Sequence, residues 1–392
     1  MSDPSPRPYK IAVVAACPFP YPRGTPIRIY RMAEALASRG HAVHVVAYHL
    51  GQSFEETPFK LHRTPPIPTY RKTSPGPSYQ KIFLIDPLLA VKLYQVVRKH
   101  RVDLIHAHHY EGLIAAWPVA RLTGLPLVFD VHTLLASELP QYKLNLPKAF
   151  LRWAGNFLDH TLPAQADHIV TVGDSVRKKL IEEIGLSADR VTTVYTGIEK
   201  GFGRPPSPVS ISSLRTLIYA GNLADYQGVD LMLKAFRLVL DQRPDTLLKI
   251  VSGNPISPYQ AMIRSLRLEN NLIMENADYF RLPAVLHTAM IALNPRPRAD
   301  GVLVKLLNYM AAGCAIVSFS GSGEIIQHER TGLLVAGAEV EMFASAILRL
   351  LENPELAQKL GAAAQSTAQD VFVWEKSVML FEAIYDKLVD KL

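Results

Sequence analysis

The segment Asn294-Pro295-Arg296-Pro297-Arg298-Ala299-Asp300-Gly301-Val302-Leu303-Val304-Lys305-Leu306-Leu307-Asn308-Tyr309-Met310-Ala311-Ala312-Gly313 concentrates groups that could handle an anion. The pattern predicts a strand ending at Asn294, a cationic loop, and a helix starting near Leu303. A helix N-terminus offers free N–H groups and a partial positive charge, which suits a phosphate. Lys305 adds a full charge close to that end, and Arg296 and Arg298 add two more. Lys305 and Asn308 lie three apart and share a helix face. Asp300, at the loop tip, can accept hydrogen bonds from sugar hydroxyls.

Histidines form the second concentration. His106-Ala107-His108-His109 closes a predicted strand, where alternate residues share a face, so His106 and His108 converge. No HExxH and no cysteine or acidic ligand spacing accompanies them, so the expectation is polar residues lining a cleft, with no metal site. His132 follows the strand Leu127–Val131, where its imidazole can hydrogen-bond or take a proton.

Short apolar runs alternating with helical patterns must position these groups, which is the pattern of βαβ units around a parallel sheet. Strands are expected at 11–16, 42–47, 104–107, 127–131, 169–172 and 191–195, and again at 217–220, 248–251, 272–274, 290–293 and 315–318. Helices are expected at 26–38, 229–240, 259–267, 304–312 and 340–351, with Thr25 as cap and Gly40 past the end of the first. Between the two series Gly201 to Pro208 reads as a linker. The domains are therefore 1–203, 204–374, and a helix, 375–392, that returns to the first. Two such α/β domains would face each other across a cleft, with ligands at the carboxyl ends of their strands. Gly24, Gly221 and Gly228 fall at strand–helix junctions, but none forms a GxGxxG dinucleotide motif.

The 392 residues include 48% hydrophobic and 20% charged residues, which excludes a disordered chain or a polytopic membrane protein. Two cysteines, Cys17 and Cys314, are too few for a disulfide framework. Forty-two Lys and Arg against 35 Asp and Glu favour a polyanionic partner. Between residues 60 and 101 basic residues at 60, 63, 71, 72, 81, 92, 98, 99 and 101 meet one acid, Asp86, among Tyr70, Tyr79, Ile82, Phe83, Leu84 and Ile85. That mixture suits an anionic membrane face. No apolar run spans a bilayer, since Asp86-Pro87 interrupts 82–91, and no secretory signal is evident. A cytoplasmic protein with peripheral membrane contact is expected, and no nucleic-acid reading module is recognisable.

Gly24-Thr25-Pro26, Ser38-Arg39-Gly40-His41-Ala42-Val43, Asp103-Leu104-Ile105-His106-Ala107-His108, Asp130-Val131-His132, Thr193-Val194-Tyr195-Thr196-Gly197-Ile198-Glu199, Tyr219-Ala220-Gly221-Asn222 through Gln227-Gly228-Val229-Asp230, Tyr309-Met310-Ala311-Ala312-Gly313 and Gly323-Glu324-Ile325-Ile326 stand in a single order. Together they resemble the retaining glycosyltransferases of GT-B fold in family 4. The resemblance implies two Rossmann-like doubly wound domains. It also implies transfer of a sugar from a nucleotide-diphosphate donor to an acceptor hydroxyl with retention and without a required metal or other cofactor. The acceptor would be a glycan or a lipid-linked molecule, in cell-envelope or polysaccharide synthesis. The implied catalytic residues are His132, Asp300 and Lys305. The implied donor-binding residues are Gly24, Thr25, Asn222, Gln227, Gly253, Arg296, Arg298, Gly301 and Asn308, with His106 and His108 on the acceptor side. The family's diphosphate-binding Arg and Lys are replaced by Asn222 and Gln227, and its paired glutamates by Asp300 and Asn308. Lys305 would supply the charge so lost. A non-catalytic nucleotide-sugar-binding relative and a nucleotide-sugar epimerase are the alternatives.

Overall fold

The computed structural model describes residues 7–21, 24–52, 56–73, 76–142, 144–198, 215–276 and 281–390. Contacts divide the chain into two compact units, Met1–Thr196 with Trp374–Leu392, and Gly197–Val373. The Gly201–Pro208 stretch and the expected 203/204 boundary lie outside the described residues.

In the first unit the described strands are β1 (Lys10–Ala15), β2 (Ala42–Ala47), β3 (Lys60–Arg63), β4 (Leu104–His108), β5 (Leu127–Val131), β6 (His168–Thr171) and β7 (Val191–Thr193). They form one sheet in the order β3-β2-β1-β4-β5-β6-β7, every pair parallel, with Val13 opposite both Val45 and His106. The order reverses between β1 and β4, so the strand carboxyl ends diverge there. Its helices are α1 (Gly24–Ser38), α2 (Asp86–His100), α3 (His109–Thr123), α4 (Leu135–Glu138), α5 (Lys148–Thr161) and α6 (Asp174–Glu182).

The helix α1 starts two residues before its expected first residue. Thr25 therefore lies in its first turn rather than capping it, and Pro26 stands where its missing N–H has no intrahelical acceptor anyway. Ile29, Met32, Ala33 and Leu36 are buried on one stripe, and Gly40, at φ +94°, ends the helix in the left-handed region. Asp86-Pro87 interrupts the apolar run at 82–91, as expected, without breaking the helical backbone. A π-helical turn over Lys81–Ile85 runs directly into α2, and Pro87 occupies the first turn of that helix. No helix of the described residues is long and apolar enough to cross a membrane.

The second unit carries β8 (Thr216–Ala220), β9 (Leu247–Val251), β10 (Leu272–Glu275), β11 (Ile291–Asn294), β12 (Ala315–Phe319) and β13 (Leu333–Val335), in the parallel order β10-β9-β8-β11-β12-β13. Its helices are α7 (Val229–Gln242), α8 (Gln260–Ser265), α9 (Leu282–Leu286), α10 (Val304–Ala311), α11 (Val340–Glu352) and α12 (Pro354–Val371). Tyr219, Phe236, Ile250, Leu293, Phe319 and Phe343 fill one core cluster.

The last helix, α13 (Trp374–Val389), joins the first unit's core. Trp374, Val378, Phe381, Tyr385 and Leu388 recur at helical spacing and pack with Ile11, Val13, Ile29, Met32 and Leu36. Arg39 donates two hydrogen bonds to Glu382 at 2.6 and 2.8 Å, and the Nε2 of His41 stands 3.0 Å from the same carboxylate.

Gly228 fixes the approach of two loops in the second unit. Its φ is +72°, and a Cβ there would sit 2.1 Å from the carbonyl oxygen of Pro295. Gly228→Ala should destabilise the second unit by about 1–3 kcal/mol, read as an earlier urea transition, because left-handed backbone and overlap both oppose the methyl.

Candidate active site

In the first unit the strand carboxyl ends converge on one buried charge pair. Arg28 projects from α1 and donates to the Asp130 carboxylate at 3.0 Å, to the Thr196 hydroxyl at 2.7 Å and to the Val194 carbonyl at 3.0 Å. Both charged side chains are buried, at 2% and 0% exposure. His106, His108 and His132 each bring one ring nitrogen to within 3.6–3.7 Å of the same carboxylate, beyond good hydrogen-bond range. The close charge-assisted contact is therefore with Arg28. Burial pushes Asp130 up, but Arg28 and then the histidines outweigh it and hold the carboxyl well below the usual range.

The Nδ1 of His108 and the Nε2 of His132 are 3.2 Å apart, and His109 stacks on His132 with ring centres 4.4 Å apart. Burial above all, then His109, pushes His132 well below the ordinary imidazole value, so it is neutral at pH 7. Burial does the same to His108. A neutral imidazole in front of an ion-paired carboxylate can hydrogen-bond a hydroxyl or receive its proton.

The second unit builds its site from the ends of β8 and β11. After β8, Tyr219 donates from its hydroxyl to the Asn222 carbonyl at 2.6 Å, and Asn222 reaches the Tyr226 hydroxyl from its amide nitrogen at 3.3 Å. The Arg296 guanidinium lies over the Tyr226 ring, 4.9 Å from its centre. Lys305, in the first turn of α10, donates from Nζ to the Gln227 Oε1 at 2.8 Å and lies 4.7 Å from the centre of the Tyr219 ring. Burial, and then the charge of Arg296, lowers the Lys305 amine from 10.5 to about 7. Leu303 stands at the N-cap of α10 and makes no side-chain cap. The Leu306 N–H bonds back to the Leu303 carbonyl at 2.9 Å, and the helix start lies beside a lysine whose charge an anion would restore.

Asn222, Gln227, Arg296 and Lys305 are brought together, as expected of one site. Asn308 is buried on α10, and Asp300 immediately precedes Gly301, whose φ of +73° turns the loop into the helix. Asn294 donates to the Ser318 and Ser322 hydroxyls at 2.8 Å each, which ties the start of the cationic loop to β12 and the turn after it. Gly253 lies exposed in the bend after β9, with open space where a Cβ would stand. Arg298 is exposed, and its carbonyl accepts from the Arg296 Nε at 2.9 Å. Gly24 and Thr25 belong to the first unit and open α1 rather than forming a loop.

One expectation needs correction. Neither His106 nor His108 lines a cleft: both are wholly buried, and His106 has its Nδ1 2.7 Å from the Tyr385 hydroxyl and its ring against Phe381, because its strand faces α13 at that position. Two groups that sequence reasoning missed are Arg28 and Tyr219. Arg28 is four residues before Met32 and eight before Leu36, so a charge on the apolar stripe of α1 was the available signal. Tyr219 alternates like any core aromatic, and nothing in the sequence marks its hydroxyl.

Residues 22–201 match the family described as Glycosyltransferase Family 4, and residues 215–353 that described as Glycosyl transferases group 1. The chain is 26% identical to D-inositol 3-phosphate glycosyltransferase of Thermobifida fusca, over 91% of this chain and 86% of that one. It is 23% identical to N-acetyl-alpha-D-glucosaminyl L-malate synthase of Bacillus anthracis, over 96% and 97%. In structure it resembles sucrose-phosphate synthase of Thermosynechococcus elongatus, with a TM-score of 0.83 at 17% identity, covering 98% of this chain and 100% of the other. It also resembles Anabaena HepE, solved with UDP-glucose, with a TM-score of 0.74 at 16% identity, covering 98% and 100%.

Arg28→Met should destabilise the first unit by about 3–5 kcal/mol, since it strands a buried carboxylate. Adding Asp130→Asn to it should recover part of that loss in a double-mutant cycle read by chemical denaturation.

Proposed function

The chain belongs to glycosyltransferase family 4, with the GT-B fold, and from that premise we propose that it transfers a sugar from a nucleotide diphosphate to an acceptor hydroxyl with retention. In this reading the second unit binds the diphosphate where β11 gives way to α10. The observation that carries it is Lys305, held by Gln227 over Tyr219 at an uncapped helix start, with Arg296 beside it. As the bond from the anomeric carbon to the phosphate oxygen breaks, its electron pair passes to the diphosphate. The Lys305 ammonium, Arg296 and the α10 N–H groups stabilise that growing charge. The acceptor oxygen then bonds to the anomeric carbon as its proton passes to the departing diphosphate oxygen. Asp300 and Asn308 bind hydroxyls of the donor, and His132 serves the acceptor side.

The same cations take the role that a divalent ion would play at a diphosphate, so the nucleotide sugar is the co-substrate and no resident metal or other cofactor is invoked. The named relatives glycosylate inositol phosphate or malate, or make sucrose phosphate, so a polar hydroxyl acceptor is the shared chemistry. A lipid-linked or glycan acceptor in envelope synthesis fits the surface of the first unit. Tyr79, Ile82, Phe83 and Leu84 are exposed there, as are Phe150, Trp153 and Phe157 on α5. The basic set is smaller than its sequence suggests, because Lys81 is buried against Glu111 and Lys72 donates to the carbonyls of Gly76 and Pro77. Tyr70 and Ile85 are buried and add nothing to that surface.

The test is a panel of UDP-, GDP- and ADP-sugars, following nucleoside diphosphate release with candidate acceptors. At least one donor should turn over with retention. Release from none would leave a binding protein, and a new sugar epimer formed without acceptor would make it an epimerase.

Lys305→Ala should lower kcat about 10²–10³-fold, the scale of losing one preorganised transition-state contact. The wild-type kcat/KM for the donor should fall as pH rises through about 7, where the free enzyme's Lys305 loses the proton that the diphosphate needs. Lys305→Arg should abolish that fall. Unchanged kcat in Lys305→Ala would overturn the assignment.

In co-sedimentation, vesicles containing phosphatidylglycerol should bring down more protein than phosphatidylcholine alone, and Phe83→Asp should reduce the difference. Equal binding to both would remove the membrane from the reading.

A further inference from the structure

Three imidazoles far apart in sequence meet on the first unit, at a place the transfer chemistry does not use. His44 lies on β2, His62 on β3 and His100 at the end of α2. The parallel register sets His44 opposite Lys60 and Val46 opposite His62, which puts both histidines on one face of the sheet. The carboxyl end of α2 delivers His100 beside them. This is the edge where β4 begins, whereas His108 closes β4 and His132 follows β5 at the opposite, carboxyl ends.

The spacing is that of a ligand set. His44 Nδ1 and His62 Nε2 are 3.0 Å apart, and one nitrogen from each of the three rings lies within 4.8 Å of the others. Ring centres are 5.3 Å apart for His44 and His62, 5.2 Å for His62 and His100, and 4.1 Å for His44 and His100. Two imidazoles bound tetrahedrally at the usual Zn–N length place their nitrogens about 3.3 Å and their ring centres about 5.2 Å apart. Two of the three pairs already stand at that separation, and His100 needs to swing outward by about 1 Å to give the third.

The tautomers can adapt to an ion as well. A neutral imidazole carries one N–H, and shifting it to the outer nitrogen frees both facing lone pairs without loss of a proton. The other histidine group on this unit, His106 and His108 with Asp130, differs in the decisive respect that Arg28 already neutralises its carboxylate.

We propose that His44, His62 and His100 form a three-histidine site for a borderline divalent cation, Zn²⁺ by its tetrahedral preference, with the fourth position left to water or a small anion. Lys60 and Lys99 close by weaken the cation's binding and favour an anion as that fourth ligand. The bound ion joins the four-residue edge strand β3 and the end of α2 to β2. The site belongs to the first unit and shares no residue with the donor site of the second, so it holds or fails independently of the transfer reading.

The experiment uses the tag-free full chain, stripped with a chelator and then titrated with ZnCl₂ or CoCl₂. Expected are one ion bound per chain, the visible absorption of tetrahedral cobalt(II), and a higher Tm with Zn²⁺ present. His62→Gln and His100→Gln, both at partly exposed positions, should each weaken binding by at least the ~10–100-fold that losing even an outer partner of a metal ligand costs. Their far-UV circular dichroism should be unchanged. Absence of stoichiometric uptake, uptake unaffected in both variants, or uptake lost in His108→Gln alone would each overturn the proposal.

Discussion

The first unit depends on the ion pair between Arg28 and Asp130. Neither charge is accessible to water, and removing two such groups from solvent costs several kcal/mol apiece before their attraction returns it. That balance holds only while α1, β5 and the chain leaving β7 keep their positions, because Arg28 also bonds to Val194 and Thr196. Asp130 is two residues before His132, so the pair that anchors the helix also sets where the imidazole emerges. Position and charge state at this end of the sheet are one problem with one solution.

The second unit solves the opposite problem. Lys305 is surrounded by an amide oxygen, an aromatic face and another cation, and neither cause of its lowered affinity for protons is a carboxylate. Where Asp130 is neutralised from within the protein, Lys305 is left wanting an anion. The glycines that bring its neighbours together follow the same logic, since Gly228 against Pro295 and Gly321 against Pro297 allow backbone to touch backbone around the cationic loop. Gln227 holds that lysine directly, and Asn222 reaches the hydroxyl of Tyr226, whose ring lies under Arg296.

Most of the sheet was legible because buried parallel strands announce themselves as apolar runs; β2 and β5 fall where expected to the residue. β3 was not legible, since Lys-Leu-His-Arg at a sheet edge has neither a run nor a clear alternation. α3 and α5 went unseen for a different reason, because Gly112, Pro118 and Gly155 blur their periodicity. Gly155 is in fact required where α5 packs against α4, because a Cβ there would stand 2.5 Å from the Leu135 backbone. In the candidate site, Lys305 could be named from its place at a helix start and Gln227 from the family resemblance, but their hydrogen bond joins residues 78 apart and is a property of the fold. His106 shows the converse limit. A strand-end histidine reads as functional until the helix that covers it, 279 residues later, is in place.

That covering helix has a consequence for how the molecule is made. The second unit is a continuous piece of chain, so every residue it packs is available once residue 373 has been synthesised. The first unit is not. Its sheet is complete by residue 193, yet Ile11, Val13 and Met32 keep an apolar face uncovered until Phe381 and Tyr385 leave the ribosome. Translation therefore reverses the order of the sequence: the half begun first is the half finished last, and it carries a sticky surface throughout the interval in which its neighbour folds.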